Sequence, residues 1–290
     1  MPGEIFRKIA GASGLLSRLS LLALLLAAVC GCVEPRILRV ADRQELKPDE
    51  LLKEIDGSDI VFVGEVHTTK IHHKAQLGII KALNASGVKV AVGVEMFRKE
   101  NQEALDKWVS GEIEEAEFGE IYHRNWGVPW SQYRDIFVFA RENQIPVVGL
   151  NVSRSVIRQV VKEGFSSLTP EQLSGLPPGI ECKVDETYEE FIRDALGEHA
   201  AEMSFKNFCE AQMVWDNAMA HNAIEFLDAN PGTKLVVLAG SGHSWKRGIP
   251  FQVRRLSGYS FSVILPESDR VVVDKIDTGD ADYIITGWFF

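Results

Sequence analysis

The chain has 290 residues, with 31 Lys and Arg against 41 Asp and Glu, and 46% of its residues are hydrophobic. This composition excludes a disordered chain, a short disulfide-rich protein and a multi-span membrane protein. The net charge of −10 argues against a nucleic-acid partner, because a nucleic-acid groove needs Lys and Arg to neutralise phosphates.

The N-terminus has the pattern of an export signal. Basic residues precede a short apolar run at residues 19–29, which is too short to cross a bilayer and is typical of a secretory signal peptide. The run ends in Val29-Cys30-Gly31-Cys32, a sequence that resembles a bacterial lipobox. We therefore predict that residues 1–31 are removed and that Cys32 is lipidated. An ordinary cleaved signal with chance cysteines is the alternative.

A lipidated Cys32 predicts an anchored protein. Acyl chains such as palmitate would hold the chain to the lipid bilayer without help from its acidic surface, which anionic lipid repels. Residues 32–44 would then form an N-terminal tether. We expect a location in the bacterial cell envelope. Val33 favours the outer membrane, because it stands where an Asp retains some lipoproteins at the inner membrane.

Residues 45–290 have the pattern of one α/β domain. Short apolar runs rich in β-branched residues recur at residues 59–63, 89–94, 145–150, 234–239, 259–265 and 282–286. The first four are apolar on both faces, as in parallel strands that are covered on both sides. Helical patterns occupy residues 69–85 and 133–143 and follow Asn151. We predict a mainly parallel sheet with helices on both faces and right-handed connections.

The stretch at about residues 165–230 differs from the rest of the domain. Helical patterns follow one another at residues 168–173, 185–196 and 204–227. We interpret this stretch as a helical insertion before the last core strands. It contains Cys182 and Cys209, whose separation neither supports nor excludes a disulfide, and two buried thiols remain the alternative.

Polar residues stand where the predicted strands end. Glu65 and His67 follow the first strand, Glu95 the second, Asn151 the third, and Gly240-Ser-Gly-His243 the fourth. Ligands of an open parallel sheet bind beyond the carboxyl ends of its strands, so these residues predict a site at one sheet edge. Taken singly, each would be read as a helix cap or a solvated residue.

Two further groups of residues suit a ligand. Residues 123–133 combine Arg124 with three aromatic rings, including Trp130, which suits a flat, apolar, anionic ligand such as a porphyrin. The alternative is that the tryptophans are core residues under a loop. On the late helix, Gln212 and Asp216 border an apolar stripe, and a buried carboxylate there would need partners at the sheet edge. The alternative is that Asp216 tilts toward solvent.

Taken in chain order, these motifs resemble the ChaN family of bacterial haem-binding, iron-regulated uptake lipoproteins. The resemblance rests on Val61-Phe-Val-Gly-Glu-Val-His67, His72-His73, Gly93-Val-Glu-Met-Phe97, Gln102, Leu105, Trp108, Gly111, Trp130, Tyr133, Leu150-Asn151, Gln212, Asp216, Met219-Ala220 and Ala239-Gly-Ser-Gly-His243. It implies an α/β fold with a helical subdomain and an exported protein that binds haem near that subdomain. A homodimer with haem between its subunits is left open.

The resemblance also implies site residues. The candidate haem contacts are Tyr133, Trp130, Arg124, Gln212, Asp216 and Met219. Extracytoplasmic haem carriers often use Tyr as the iron ligand, and Tyr133 is the tyrosine that matches the motif. Tyr122, His123 and Met219 stay open as ligands.

The wider superfamily includes TIKI and TraB proteins and erythromycin esterases, and it implies an alternative function. TIKI relatives are metal-dependent proteases, and the esterases activate water with a His and Glu pair. The catalytic residues of such a hydrolase would be Glu65, His67, Glu95 and His243. His67, Glu95 and His243 would suit a divalent transition metal. A site retained only for packing, in a lipoprotein that binds partners and no small ligand, is the third interpretation.

Overall fold

The structure is a computed structural model that describes residues 36–178, 180, 182, 184–196 and 204–287. The predicted signal peptide and the lipidation site at Cys32 lie outside the described residues. Residues 36–286 pack as a single unit. Residues 36–39, which fall within the predicted tether, form a strand of the sheet, so this part of the predicted tether belongs to the α/β domain.

Eight strands form one sheet. They are β1 (Arg36–Arg39), β2 (Glu45–Leu46), β3 (Ile60–Glu65), β4 (Val90–Arg98), β5 (Val147–Asn151), β6 (Lys234–Gly240), β7 (Phe261–Pro266) and β8 (Tyr283–Thr286). The spatial order is β2-β1-β8-β7-β3-β6-β4-β5. The six strands from β8 to β5 run parallel, and β1 pairs antiparallel with β2 and β8. The predicted α/β fold with a mainly parallel sheet is confirmed.

Helices connect the strands and cover the sheet. They are α1 (Pro48–Glu54), α2 (Lys70–Ala85), α3 (Gln102–Ser110), α4 (Glu115–Asn125), α5 (Trp130–Glu142), α6 (Arg154–Glu163), α7 (Pro170–Ser174), α8 (Glu186–Leu196), α9 (Phe205–Ala229), α10 (Ser241–Ser244) and α11 (Ile249–Leu256). The predicted insertion contains α7, α8 and α9, between β5 and β6. Within the described ranges, no helix is both long enough and apolar enough to span a membrane.

The central strands are buried because both faces of the sheet are covered. Every residue of β3 and of β6 is buried, which explains why residues 60–63 and 235–239 are continuously apolar rather than alternating. Ile60 and Phe62 on one face of β3 join a core built with α6, α9 and α11. The long α9 also contacts β5, and this packing holds the insertion against the sheet.

A disulfide joins Cys182 to Cys209, with a Cα–Cα distance of 5.6 Å. It answers the question that the cysteine spacing left open. The bond connects the segment that leads into α8 with the first half of α9, so both helices are tied to each other as well as packed on the domain.

Lys234 stabilises the end of α1 from the first position of β6. Its ammonium group donates to the carbonyl oxygens of Ile55 (3.0 Å), Asp56 (2.9 Å) and Ser58. These oxygens follow the last turn of a helix, where carbonyls lack intrahelical donors. Burial lowers the pKa of Lys234.

We expect Lys234→Met to lower the free energy of unfolding by about 2 kcal/mol, because Met fills the same space but leaves the carbonyls without a donor. Lys89→Met is the matched control, since Lys89 is exposed just before β4, and it should change stability by less than about 0.5 kcal/mol. Urea unfolding of both variants measures the difference. Equal midpoints would show that the Lys234 contacts contribute nothing.

Candidate functional site

The sheet edge collects polar residues from the last parts of β3 and β4 and from the segments after β3 and β6. These three strands lie side by side in the order β3-β6-β4. They carry Glu65, Glu95 and Gly240 toward the same edge, while His67 follows β3 and His243 lies on the short α10. Parallel strands end on a common side, so residues far apart in the chain meet there. We call Glu65, His67, Glu95 and His243 the edge cluster.

Glu65 is the buried anchor of the edge cluster, with a side chain that is 0% exposed. Its Oε1 lies 2.7 Å from Nδ1 of His67 and accepts a hydrogen bond from the Tyr133 hydroxyl. Its Oε2 lies 3.3 Å from Nε2 of His73, close enough for an ion pair but not aligned as a hydrogen bond. Burial acts to raise the pKa of Glu65, yet the contacts from His67 and His73 lower it to about 2. The carboxylate is therefore ionised at neutral pH.

Glu95 faces both imidazoles of the edge cluster. Its Oε2 accepts the backbone N–H of Gly240 at 2.8 Å. Its Oε1 lies 3.9 Å from Nε2 of His67 and 3.9 Å from Nε2 of His243. A Cβ on residue 240 would lie 2.9 Å from Cε1 of His67, so this approach requires glycine. One carboxylate oxygen thus stands between two imidazole nitrogens.

His243 is fixed by a second buried carboxylate. Its Nδ1 lies 2.6 Å from Oδ1 of Asp216, and Oδ2 of Asp216 accepts the hydroxyl of Tyr188. Asp216 is fully buried rather than tilted toward solvent. Burial acts to lower the pKa of His243, but the adjacent Asp216 carboxylate outweighs this effect and the net shift is upward. The edge of the Trp215 ring packs against His243, with ring centroids 5.7 Å apart.

His67 is the member of the edge cluster that reaches the surface. Its side chain is 37% exposed, against 13% for His243. The Trp126 ring meets the imidazole edge-on, with centroids 5.0 Å apart. Burial acts to lower the pKa of His67, but Glu95 and Glu65 raise it to about 9. A cationic imidazole flanked by two carboxylates therefore stands at the opening.

The neighbouring histidines, His72 and His73, are buried beneath the edge cluster and are not exposed beside it. His72 is buried on α2, and its Nδ1 accepts the backbone N–H of Val66 at 3.0 Å. This contact fixes the turn that places His67. Burial lowers the pKa of His72 to about 4, so its ring is neutral. His73 is also buried and packs on the Tyr133 ring, with centroids 4.1 Å apart.

We expect His67 and His72 to titrate on opposite sides of the ordinary histidine pKa in the ligand-free protein. The midpoint for His67 should lie near 9, because two carboxylates favour its protonated form, and the midpoint for His72 near 4, because burial disfavours it. NMR titration of the imidazole C–H signals, assigned with single His→Gln variants, measures both. Two midpoints near 6.5 would contradict the described contacts.

The comparison with known families identifies the chain. A family model described as haem-binding uptake, Tiki superfamily, ChaN matches residues 51–253, which span every residue of the edge cluster. The chain belongs to the ChaN family. The resemblance inferred from the sequence motifs is confirmed. Among proteins with curated annotation, no sequence matches significantly.

Solved structures of similar fold include that of ChaN from Campylobacter jejuni, which is described as binding haem cofacially. It superposes with a TM-score of 0.69 at 21% identity, over 87% of this chain and 96% of that chain. An erythromycin esterase mutant in its open conformation has a TM-score of 0.49 at 15% identity, covering 80% of this chain and 76% of its own. The type III effector HopBA1 has a TM-score of 0.49 at 14% identity, over 89% and 99%. At 21% identity, the similarity to the Campylobacter structure shows a shared fold.

The other candidate residues of this ChaN-family chain fall into two groups. Tyr133 and Asp216 are buried partners of the edge cluster, through the contacts with Glu65 and His243. Trp130 packs on Trp108, Phe118, Tyr122 and Phe137 and lies 3.2 Å from Glu115 through its ring nitrogen. Met219 is buried in the core, Gln212 is buried on α9, and Arg124 is exposed on α4.

Two residues, Trp126 and Tyr188, contact the site although the sequence did not single them out. Trp126, rather than Trp130, meets His67, and its ring nitrogen is buried with no hydrogen-bond partner among the described residues. Tyr188 holds Asp216 from α8. Neither stood out in the sequence, because one was a member of an aromatic stretch and the other belonged to an insertion of unknown position.

The predicted metal has no support from the described part of the chain. No three His, Cys, Asp or Glu side chains there are arranged so that they could hold a metal ion. The chemistry available to the edge cluster is that of two carboxylate-held imidazoles and one carboxylate oxygen between them.

Proposed function

We propose that the protein binds haem at the edge cluster and takes part in haem or iron uptake. The observation that carries this proposal is the match of residues 51–253 to the haem-binding uptake family. The ligand is treated as cargo, which the protein receives and passes on.

The residues at the edge suit haem. Glu65 holds Nδ1 of His67, while Nε2 lies 3.9 Å from Oε1 of Glu95, too far for a hydrogen bond. Histidines that ligate metals are commonly held in this way by a carboxylate on the other ring nitrogen. The Trp126 ring lies beside this imidazole and offers apolar surface. His67 can meet a haem iron through Nε2 when its ring gives up the proton that the two carboxylates favour, because only the neutral imidazole binds a metal. Trp126 can contact the macrocycle.

The haem propionates need cationic partners, and Arg124 is suited to that role. It is exposed in the last turn of α4, two residues before Trp126. A guanidinium pairs with a carboxylate through two parallel hydrogen bonds. Tyr133, by contrast, is buried and donates to Glu65, so its role in this proposal is to orient the carboxylate that holds His67.

A haemin titration of the chain without residues 1–31 tests the proposal. We expect a shifted Soret band that saturates at a fixed stoichiometry, and we expect His67→Ala to weaken or remove it. His221→Ala is the matched control, because His221 is half exposed elsewhere on α9, and it should bind as the wild type does. Trp126→Leu gives a second variant that keeps the imidazole. No Soret shift in the wild type would contradict the proposal.

Sedimentation with and without haemin measures whether a homodimer forms.

Export and lipid anchoring are part of the same proposal. Cys32 is the expected acylated residue, and the expected location is the bacterial cell envelope with an outer-membrane preference. Cells fed radiolabelled palmitate should label the wild type and the Cys30→Ser variant but not Cys32→Ser. Label retained in Cys32→Ser would show that the anchor lies elsewhere, and separation of the two membranes would test the preference for the outer one.

A His/Glu-activated hydrolase is the second candidate, favoured by one observation. The Nε2 atoms of His67 and His243 face the same oxygen of Glu95, each at 3.9 Å. That oxygen could take a proton from water, and the two imidazoles could donate hydrogen bonds to a developing oxyanion.

A panel of ester and amide substrates tests this second candidate. Any activity should fall by at least about 100-fold in Glu95→Gln and stay unchanged in Glu225→Gln, an exposed control on α9. If no substrate in the panel is hydrolysed, or if the two variants are equally active, the hydrolase proposal is wrong.

A further inference from the structure

A second concave site lies away from the edge cluster, on the far side of Tyr188. It is a cavity of about 310 Å³ between α8, α11 and the loop that leads into β8. This volume lies at the lower end of the range for small-molecule sites. Tyr188 lines the cavity with its ring, while its hydroxyl bonds to Asp216. The Tyr188–Asp216 pair thus stands between the cavity and His243.

One wall of the cavity is apolar and aromatic. Phe251 on α11 is 46% exposed, more than any other large apolar side chain that the structure describes. Met213 and Val184 continue this wall beside the ring of Tyr188. An exposed Phe next to a concave apolar surface gains free energy when a flat hydrophobic group covers it.

A second part of the cavity wall supplies hydrogen-bond donors and positive charge. Lys246 is bonded to the Thr278 carbonyl and to Asp282, and Arg247 to Asp280 and Asp185. The charges of these two cations are therefore largely compensated. Arg254, which neighbours Phe251 on α11, is the lining cation without an ion pair to any described residue.

Arg254 is held ready to pair with an anion. It is exposed at the end of α11, and its guanidinium stacks over the Phe261 ring at 5.3 Å. It forms no ion pair within the described part of the chain. Stacking occupies the face of a guanidinium and leaves its edge of N–H donors available for a planar carboxylate.

Gln252 adds an amide group to the lining of the cavity. Its Oε1 accepts from Nε of Arg255 at 3.0 Å, which fixes the orientation of the amide. The Nε2 group of this side chain can therefore donate to a ligand oxygen.

We propose that this cavity binds a small aryl carboxylate, whose ring packs on Phe251 and Tyr188 and whose carboxylate takes hydrogen bonds from Arg254 and Gln252. The ligand would be smaller and less charged than haem. The site is separate from the edge cluster, and Tyr188 forms the wall between the two.

Calorimetric titration with naphthoate and its neutral analogue naphthamide tests the proposal. We expect naphthoate to bind with one-to-one stoichiometry and about tenfold more tightly than naphthamide, because only the carboxylate forms charge-assisted hydrogen bonds. Arg254→Ala should abolish the preference for naphthoate, and Phe251→Ala should weaken both probes. Arg158→Ala, at an exposed Arg on α6, should behave as the wild type does.

Several outcomes would overturn the proposal. Equal binding of the two probes to the wild type, or equal binding of naphthoate to the Arg254→Ala and Arg158→Ala variants, would contradict a carboxylate site on this wall. Displacement of naphthoate by stoichiometric haemin would show that the cavity is part of the haem site. We expect instead that haem-loaded protein still binds naphthoate and that Arg254→Ala leaves the Soret titration unchanged.

Discussion

Replacing Glu65 with Ala is expected to lower the free energy of unfolding by about 3–5 kcal/mol. The carboxylate is fully buried and holds both His67 and the Tyr133 hydroxyl. Without this carboxylate, the His67 imidazole and the buried Tyr133 hydroxyl lose their hydrogen-bond acceptor. Each donor that is left buried without an acceptor lowers the stability of the fold. For a domain of this size, the melting temperature should fall by roughly 10 °C.

Two controls separate this effect from the simple loss of a side chain. Glu120→Ala removes an exposed carboxylate on α4 and should change stability by less than about 0.5 kcal/mol. Glu65→Gln keeps the shape and one acceptor oxygen, so its cost should fall between the two Ala variants. A Glu65→Ala variant as stable as Glu120→Ala would contradict the role of this carboxylate.

Glu65 should also give the stability of the fold a characteristic dependence on pH. Because contacts with histidines lower the pKa of Glu65 from 4.5 to about 2, its ionised form stabilises the fold fully above pH 4.5. That contribution is lost as the pH falls through 2, since the folded carboxylate must then take up a proton. Unfolding measured between pH 2 and 5 should show a steeper loss in the wild type than in Glu65→Ala.

Loss of the Cys182–Cys209 disulfide is expected to lower the free energy of unfolding by about 3.5 kcal/mol. The two cysteines are separated by 27 positions, and a cross-link that closes a loop of this size removes much of the freedom of the unfolded chain. The bond also tethers the segment that leads into α8, the helix that places Tyr188 against Asp216. Hydrogen exchange of α8 should therefore accelerate more than that of α2.

A double Ser variant and chemical reduction of the wild type test this expectation together. Both should shift the denaturant midpoint by the same amount, and reduction of the variant should change nothing further. If reduction left the wild-type midpoint unchanged, the disulfide would not contribute to stability.

The central strands could be predicted from the sequence because their burial is complete. The inner residues of β3 and β6 are apolar on both faces. A continuous apolar run of this length is typical of a strand that is covered on both sides. The first two strands, β1 and β2, could not, since four and two residues give no readable alternation. Helix α4 was also missed, because its few buried residues give a weak helical pattern.

The convergence of the edge cluster could be predicted because it follows from strand direction alone. Glu65 ends β3, Glu95 lies in the last part of β4, and His243 follows β6 on α10, whatever their side-chain rotamers. The choice between Trp126 and Trp130 could not be made in this way. Both belong to one aromatic stretch, and the three-residue turn before α5 decides which ring meets His67 and which joins the aromatic core.

The hydrogen-bond partners of Asp216 could not be predicted from the sequence either. An acidic residue on an apolar helix face indicates that a buried carboxylate needs donors, but it does not indicate which residues supply them. The insertion supplies one of them, Tyr188, and the sheet edge supplies the other, His243. Pairings of this kind depend on how α8 packs on α9, which no local pattern encodes.

The iron position in crystals of the haem-loaded protein tests the proposed haem site most directly. Anomalous scattering at the iron edge should place the metal beside Nε2 of His67, with the Trp126 ring against the macrocycle. Iron located beside Trp130, near Met219 or in the cavity at Arg254 would contradict the proposal that the edge cluster receives haem.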